Sequence, residues 1–150
     1  TIANQGHYYT PHIVRKINGE TLSDSTYTIP KHTSVDKKHF KTVIRGMGET
    51  YTSRYGTARS ARIKDIEICG KTGTAENPHG DDHSIFIAFA PKDNPQIALA
   101  VYVENAGWGS TWAAPIAGLV IEKYLTNQIS NTKLEEFILS ENLISKEDEK

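Results

Sequence analysis

Ile66-Glu67-Ile68-Cys69-Gly70-Lys71-Thr72-Gly73-Thr74-Ala75 is the stretch on which the fold turns. Apolar and polar residues alternate at its start and small residues fill its end, the pattern of a strand. Asn77-Pro78-His79-Gly80-Asp81-Asp82 follows as a turn. His83–Ala90 and Gln96–Glu104 then read as two more strands, joined by Pro91-Lys92-Asp93-Asn94-Pro95. So short a connection favours antiparallel pairing. Gly107, Gly109 and Ser110 lead into a helix expected over residues 111–127, with a further short helix from Asn131 and a charged end, Ser145–Lys150.

Upstream of the quoted stretch, Asp36 is placed to cap a helix running to about Thr50. Phe40, Val43, Ile44 and Met47 fall on one face of it, at spacings of three and four. Residues 51–62 have no clean period and are expected to be a loop. Nearer the start, Ile2–Gly6 resembles the end of a helix stopped by Gly6. His7–Thr10 and His12–Ile17 read as extended segments, and Asn18-Gly19 marks a tight turn. A polar stretch runs on to Pro30. Helix, three-stranded antiparallel meander and helix together predict an α+β fold, an antiparallel sheet with flanking helices.

Composition narrows the function classes. The 150 residues carry 17 basic and 18 acidic side chains, a net charge of −1. This balance has no basic footprint for nucleic acid and no polybasic anchor for an anionic membrane. The longest apolar runs, Ile85–Ala90 and Ile97–Val103, are too short to span a bilayer. A single cysteine, Cys69, excludes an internal disulfide and any multi-cysteine metal site, and it is expected to be a buried structural thiol. The opening Thr1-Ile2-Ala3-Asn4 has neither initiator Met nor charged leader, as expected of a cut inside a longer protein.

Lys71-Thr72-Gly73-Thr74 admits three readings. A phosphate loop requires glycine five positions before Gly70, where Asp65 stands, so that reading fails. A strand with small residues and one solvated lysine is the plain reading of a lone Lys-Thr-Gly. The third is an anion-recognition strand. Lys71 supplies a point charge, Thr72 and Thr74 supply hydroxyl donors, and Gly73 admits close approach of a ligand backbone. An edge strand with open N–H groups also pairs with an extended peptide. Together these features suit the carboxylate of an extended peptide.

Lys-Thr-Gly is the third signature of the penicillin-binding proteins and serine β-lactamases. The match extends through Gly70–Asn77, Asp82-His83 and Phe86–Pro91, then Asn94–Val101 and Val103-Glu104-Asn105, followed by a glycine-rich turn and a small-residue helix. Thr1–Gly6 with Tyr9-Thr10-Pro11 fits the same pattern. Over roughly residues 1–126 the chain resembles the transpeptidase domain of class B penicillin-binding proteins, most of all the penicillin-binding protein 2 type. The resemblance implies residues 1–130 as the C-terminal portion of a transpeptidase domain, and 131–150 as a short helix and charged tail. It implies a partial penicillin-binding transpeptidase, or serine β-lactamase-like, fold with the Lys71 strand at the sheet edge. His83–Ala90 and Gln96–Glu104 would follow inward, and the next strand would come from the upstream part of the domain.

The same resemblance implies an activity. Members cross-link peptidoglycan stem peptides through an acyl-serine intermediate, and β-lactams acylate the same serine. Carried over, Lys71 and Thr74 are the catalytic candidates: Lys71 for positive potential, and the Thr74 backbone N–H as one of two oxyanion-hole donors. Thr72, Gly73 and Thr74 become the substrate-binding set. Implied partners are stem peptides, β-lactam antibiotics, the upstream remainder of the domain and other cell-elongation proteins, with no nucleic acid, no cofactor and no metal. The implied location is periplasmic or the extracytoplasmic face of the bacterial inner membrane, with the anchor outside these residues. A non-catalytic β-lactam sensor and a serine β-lactamase remain alternatives on the same fold.

The first two signatures are not recognised here. Ser34-Val35-Asp36-Lys37 and Ser140-Glu141-Asn142 match the patterns Ser-x-x-Lys and Ser-x-Asn. The first sits in a polar helix entry that capping by Asp36 explains, and the second follows the third motif, out of order, in the charged tail. Both are read as chance matches, so the catalytic serine and second motif are expected before Thr1. His79, Asp81, Asp82 and His83 have no recognisable ligand spacing and read as a polar turn, not a metal site. His83 and Trp108 are candidates for lining the cleft. Trp112, Tyr51, Arg54 and Tyr55 are weaker ones, with packing the plain account of both Trp108 and Trp112.

Overall fold

The computed structural model describes residues 1–143, so the charged end Ser145–Lys150 lies outside the described residues. Two compact units emerge, Thr1–Ile44 and Arg45–Lys150.

In the first unit Ile2–Gly6 is a turn that ends in left-handed backbone, with φ of 50° at Gln5 and 113° at Gly6. Gly6 is required there: a Cβ would carry positive-φ strain and lie 3.1 Å from the Phe40 ring. Strand β1 (His7–Tyr8) pairs antiparallel with β4 (Lys31–His32). Between them β2 (Lys16–Ile17) and β3 (Glu20–Thr21) form the expected ribbon. Positive φ at both Asn18 and Gly19 gives the mirror-image turn that matches strand twist. The polar stretch before Pro30 contains one helical turn, α1 (Ser25–Thr28), which the reading as a plain connection missed. Its cause is Asp24, whose carboxylate accepts the Thr26 N–H at 2.8 Å.

Helix α2 (Lys37–Thr52) runs from one unit into the next. Asp36 accepts the Lys38 N–H at 3.1 Å, which supports its role as a cap. Phe40, Ile44 and Met47 are buried as expected, but Val43 is 45% exposed. Tyr51 occupies the buried face instead, because the helix continues two residues further than the sequence reading placed its end. Residues 51–62 are therefore not all loop: Tyr51 and Thr52 finish the helix, and Arg59–Ala61 form a 3-10 turn.

The second unit is built on β5 (Cys69–Ala75), β6 (His83–Ala90) and β7 (Ile97–Val103), an antiparallel sheet in the order β5-β6-β7. The strand starts at Cys69 rather than Ile66, since its pairing with β6 begins only at Cys69, opposite Phe89. Among the described residues no fourth strand pairs with either outer edge. Helix α3 (Ala113–Thr126) packs on one sheet face through Ala113, Ala114, Ala117 and Ile121. Small side chains let the helix lie close, and Phe86, Ala88 and Ala90 of β6 complete this core. Helix α4 (Thr132–Ser140) begins at Asn131, whose side chain caps the Leu134 N–H. It meets α3's start by stacking Phe137 on Trp112, with ring centroids 5.5 Å apart. Ser140 is thus a helix residue, not part of a tail.

Phe86 is fully buried, and its ring lies where a Gly70 side chain would be, 2.3 Å from an added Cβ. Tyr51 meets the same ring edge-on at 6.0 Å. Gly70→Ala is expected to cost about 1–3 kcal/mol, the usual range for overpacking a filled core. Denaturant unfolding of the folded protein checks this; an unchanged midpoint would mean that the ring moves aside freely.

Candidate functional site

Register sorts the Lys-Thr-Gly-Thr residues onto two faces. Lys71 and Gly73 lie opposite Ile87 and Ile85 of β6, whereas Thr72 and Thr74 lie opposite Phe86 and Ser84. Directly paired residues share a face, so the threonines stand on the α3 side at the sheet margin, and Lys71 on the other. Lys71 and Thr74 are exposed, while Thr72 and Gly73 are half-buried. The chemistry thus lines the outer edge of β5, reachable from both faces.

Short hydrogen bonds hold these groups. The Lys71 ammonium donates to the Thr72 carbonyl at 2.8 Å. The Thr72 hydroxyl lies 3.0 Å from the Thr57 hydroxyl, a partner that reading the sequence did not find. Thr57 sits in the segment without a period, 15 residues from Thr72, so no local pattern could have flagged it. Seven residues before Thr57, the Thr50 hydroxyl lies 3.2 Å from the Gly70 carbonyl and 2.8 Å from that of Met47, joining the end of α2 to the start of β5.

The segment after β7 folds back onto the far end of β5. A Cβ at Gly109 would lie 2.4 Å from the carbonyl oxygens of Gly73 and Ile85, so only glycine can sit against the strand there. Ser84 fastens this turn. Fully buried, its hydroxyl donates to the Trp108 carbonyl at 3.0 Å and accepts the Ala113 N–H at 3.1 Å. Trp108, the residue before Gly109, is thereby held at the surface, 74% exposed. His83 is engaged in structure: its Nδ1 accepts the Asn105 N–H at 3.0 Å and its ring packs on Tyr102 at 5.2 Å. The Asn77 amide donates to Asn105 at 2.6 Å, which ties the Asn77–Asp82 turn to the same corner.

Other candidates part from the edge. Tyr51 is in the core, and burial together with nearby Cys69 pushes its phenol well above the usual range. Its hydroxyl has no hydrogen-bond partner among the described residues. Arg54 lies over the exposed ring of Tyr55 and donates no bond to β5 among those described. Ser140 donates to the Phe137 carbonyl within its own helix. A cavity of about 590 Å³ just before β5 is lined by residues such as Arg45, Glu49, Arg62, Glu67 and Lys92, and by none of Lys71–Thr74. The edge is open surface.

Residues 1–122 match the family model of the penicillin-binding protein transpeptidase domain. The chain belongs to this family. It is 32% identical over 146 residues to peptidoglycan D,D-transpeptidase MrdA of Haemophilus influenzae, covering 85% of this chain and 22% of that protein. It is 33% identical over 142 residues to peptidoglycan D,D-transpeptidase PbpA of Mycobacterium tuberculosis, covering 85% and 28%. Among solved structures, Pseudomonas aeruginosa PBP2 in complex with WCK 5153 superposes with a TM-score of 0.72 at 34% identity, over 87% of this chain and 29% of that one. The imipenem acyl-enzyme complex of penicillin-binding protein A from M. tuberculosis gives 0.65 at 32% identity, over 83% and 28%. The chain therefore spans less than a third of each of these four proteins, and its α+β fold is that of their transpeptidase domains.

Cys69 is fully buried where α2 meets β5; a Cβ at Gly48 would lie 3.8 Å from its Sγ. Burial pushes its thiol up to about 11. The folded state thus favours the neutral thiol, a contribution complete below pH 9 and lost as pH rises toward about 11. Stability should fall over that window, and by less in Cys69→Ala. A thiol reagent at neutral pH should modify Cys69 only after denaturation; rapid labelling of the native protein would contradict this placement.

Proposed function

We propose that this chain forms part of the catalytic module of a peptidoglycan D,D-transpeptidase, with β5 as one wall of its acyl-transfer cleft. The observation that carries the reading is the open β5 edge bearing Lys71, Thr72 and Thr74 within a chain of this family. In this reading residues 1–130 belong to the transpeptidase domain, and 131–150 are an appendage to it. Lys71 supplies positive potential to the reacting serine, which lies in the remainder of the protein. Thr72 and Thr74 donate hydrogen bonds to the carboxylate of a stem peptide or β-lactam. The Thr74 N–H helps hold the oxyanion, and Gly73 keeps the wall low where ligand backbone lies. Trp108 lines the far end, and His83 shapes it by holding the Asn105 corner.

The names of the relatives support this reading, as do the β-lactam complexes of the solved neighbours. Its substrate lies outside the cytoplasm, so the protein works at the outer face of the inner membrane. Likeness to MrdA and PBP2 proteins favours a place in cell elongation alongside the other proteins of that process.

The test uses the full-length protein. It should form a long-lived adduct with fluorescent penicillin and release D-Ala from stem peptides ending in D-Ala-D-Ala. Rapid turnover of penicillin would instead indicate a β-lactamase, and labelling without D-Ala release a sensor. Lys71→Ala should slow acylation by on the order of 100-fold, comparable to the loss of one oxyanion donor. Thr74→Val and Thr72→Val should cost about 1–3 kcal/mol each, the range for a hydrogen bond to a charged group. Wild-type acylation in Lys71→Ala would reduce β5 to a structural strand.

A further inference from the structure

Thr72 is held at two points. Its carbonyl accepts from the Lys71 ammonium, and its hydroxyl pairs with that of Thr57 at 3.0 Å. Thr57 is exposed, so burial does not explain the pairing. Its backbone, however, is fixed. The Gly56 N–H donates to the Ser53 carbonyl, and the N–H of fully buried Ala58 donates to the Thr50 carbonyl, each at 3.0 Å. A Cβ at Gly56 would lie 2.3 Å from that same Thr50 carbonyl, so the turn closes only with glycine. Thr50 in turn bonds to the Gly70 carbonyl. The loop carrying Thr57 is thereby tied to β5 two residues before Thr72 and meets it again at Thr72 itself.

A hydroxyl has one proton and two acceptor lone pairs. For Thr72 to give its proton to a carboxylate, its oxygen is best filled by another donor, and Thr57 is the one in reach. We propose that Thr57 is a positioning residue: it donates to the Thr72 oxygen and so directs the Thr72 proton outward, toward an anionic ligand at the β5 edge. A carboxylate then draws both bonds in one direction, and each polarises the next. Without Thr57 the Thr72 hydroxyl rotates, and part of its population points its proton elsewhere. This inference rests on the reading of Thr72 as a carboxylate donor.

A double-mutant cycle in the full-length protein tests it, with benzylpenicillin acylation as readout, resolved into the dissociation constant of the first complex and the rate of bond formation. Thr57→Val should weaken the first complex about three- to tenfold, the range for one neutral hydrogen bond, and leave the rate constant nearly unchanged. Thr57→Ser should restore binding, and Thr57→Ala should repeat the loss with a smaller side chain. In a Thr72→Val background, Thr57→Val should have no further effect, because its only target is gone. An equal loss in both backgrounds would overturn the proposal, since Thr57 would then act only through the loop. Wild-type binding in Thr57→Val would also overturn it. If Thr72→Val itself binds normally, the carboxylate role of Thr72 falls; if Thr72→Val is impaired but Thr57→Val is not, only the positioning role falls.

Discussion

The second unit depends on burying one face of its central strand. β6 is paired on both sides, and Ser84, Phe86, Ala88 and Ala90 on that face are all buried. Removing a phenylalanine-sized side chain from water is worth about 1.5–3 kcal/mol, and the surroundings of Phe86 are arranged to permit it. Gly70 leaves room for the ring, Tyr51 caps it edge-on, and small residues on α3 bring the helix down onto the sheet. The same burial sets the register of β5. Shifting that strand by one residue would turn Lys71 toward the α3 face and the threonines away from it. The placement of the polar groups thus follows from the packing of an apolar one.

Ser84 shows what it takes to put a polar group in that layer. A buried hydroxyl is costly unless its hydrogen bonds are made. Ser84 makes two, one to the Trp108 carbonyl and one from the Ala113 N–H, which helps satisfy the first turn of α3. In doing so it fixes how the segment after β7 returns to the sheet. Gly109 can then touch Gly73 and Ile85, and Trp108 stays at the surface beside the edge.

Much of this was legible in the sequence, and the exceptions have physical causes. The meander was readable because alternation, turn residues and the five-residue connection all agreed, and because the Lys71–Thr74 run resembles a known family. The start of β5 was misplaced because Ile66 and Ile68 alternate like a strand, while alternation does not show where the pairing with β6 begins. Val43 and Tyr51 were exchanged because spacing shows a helix's apolar stripe but not how far the helix continues. Thr57, Thr50 and Ser84 went unread as partners because hydroxyls pair through space, 15 to 29 residues apart. Short-range patterns contain no such information.

One constraint shapes the edge itself. An unpaired strand edge is a standing hazard, since its free N–H and C=O groups can pair with another chain. Among the described residues β5 meets no second strand there. Its outer margin is instead crowded with groups that disfavour unplanned pairing: an exposed lysine, two hydroxyls, and a glycine covered at one end by Gly109. A charged lysine on an edge discourages neighbouring strands, yet it attracts an extended peptide that carries a carboxylate. Under the proposed function, the residues that protect the sheet from casual pairing also select which peptide is admitted. That double duty accounts for a polar, lysine-bearing run on this outer strand, beside a central strand whose α3 face is buried.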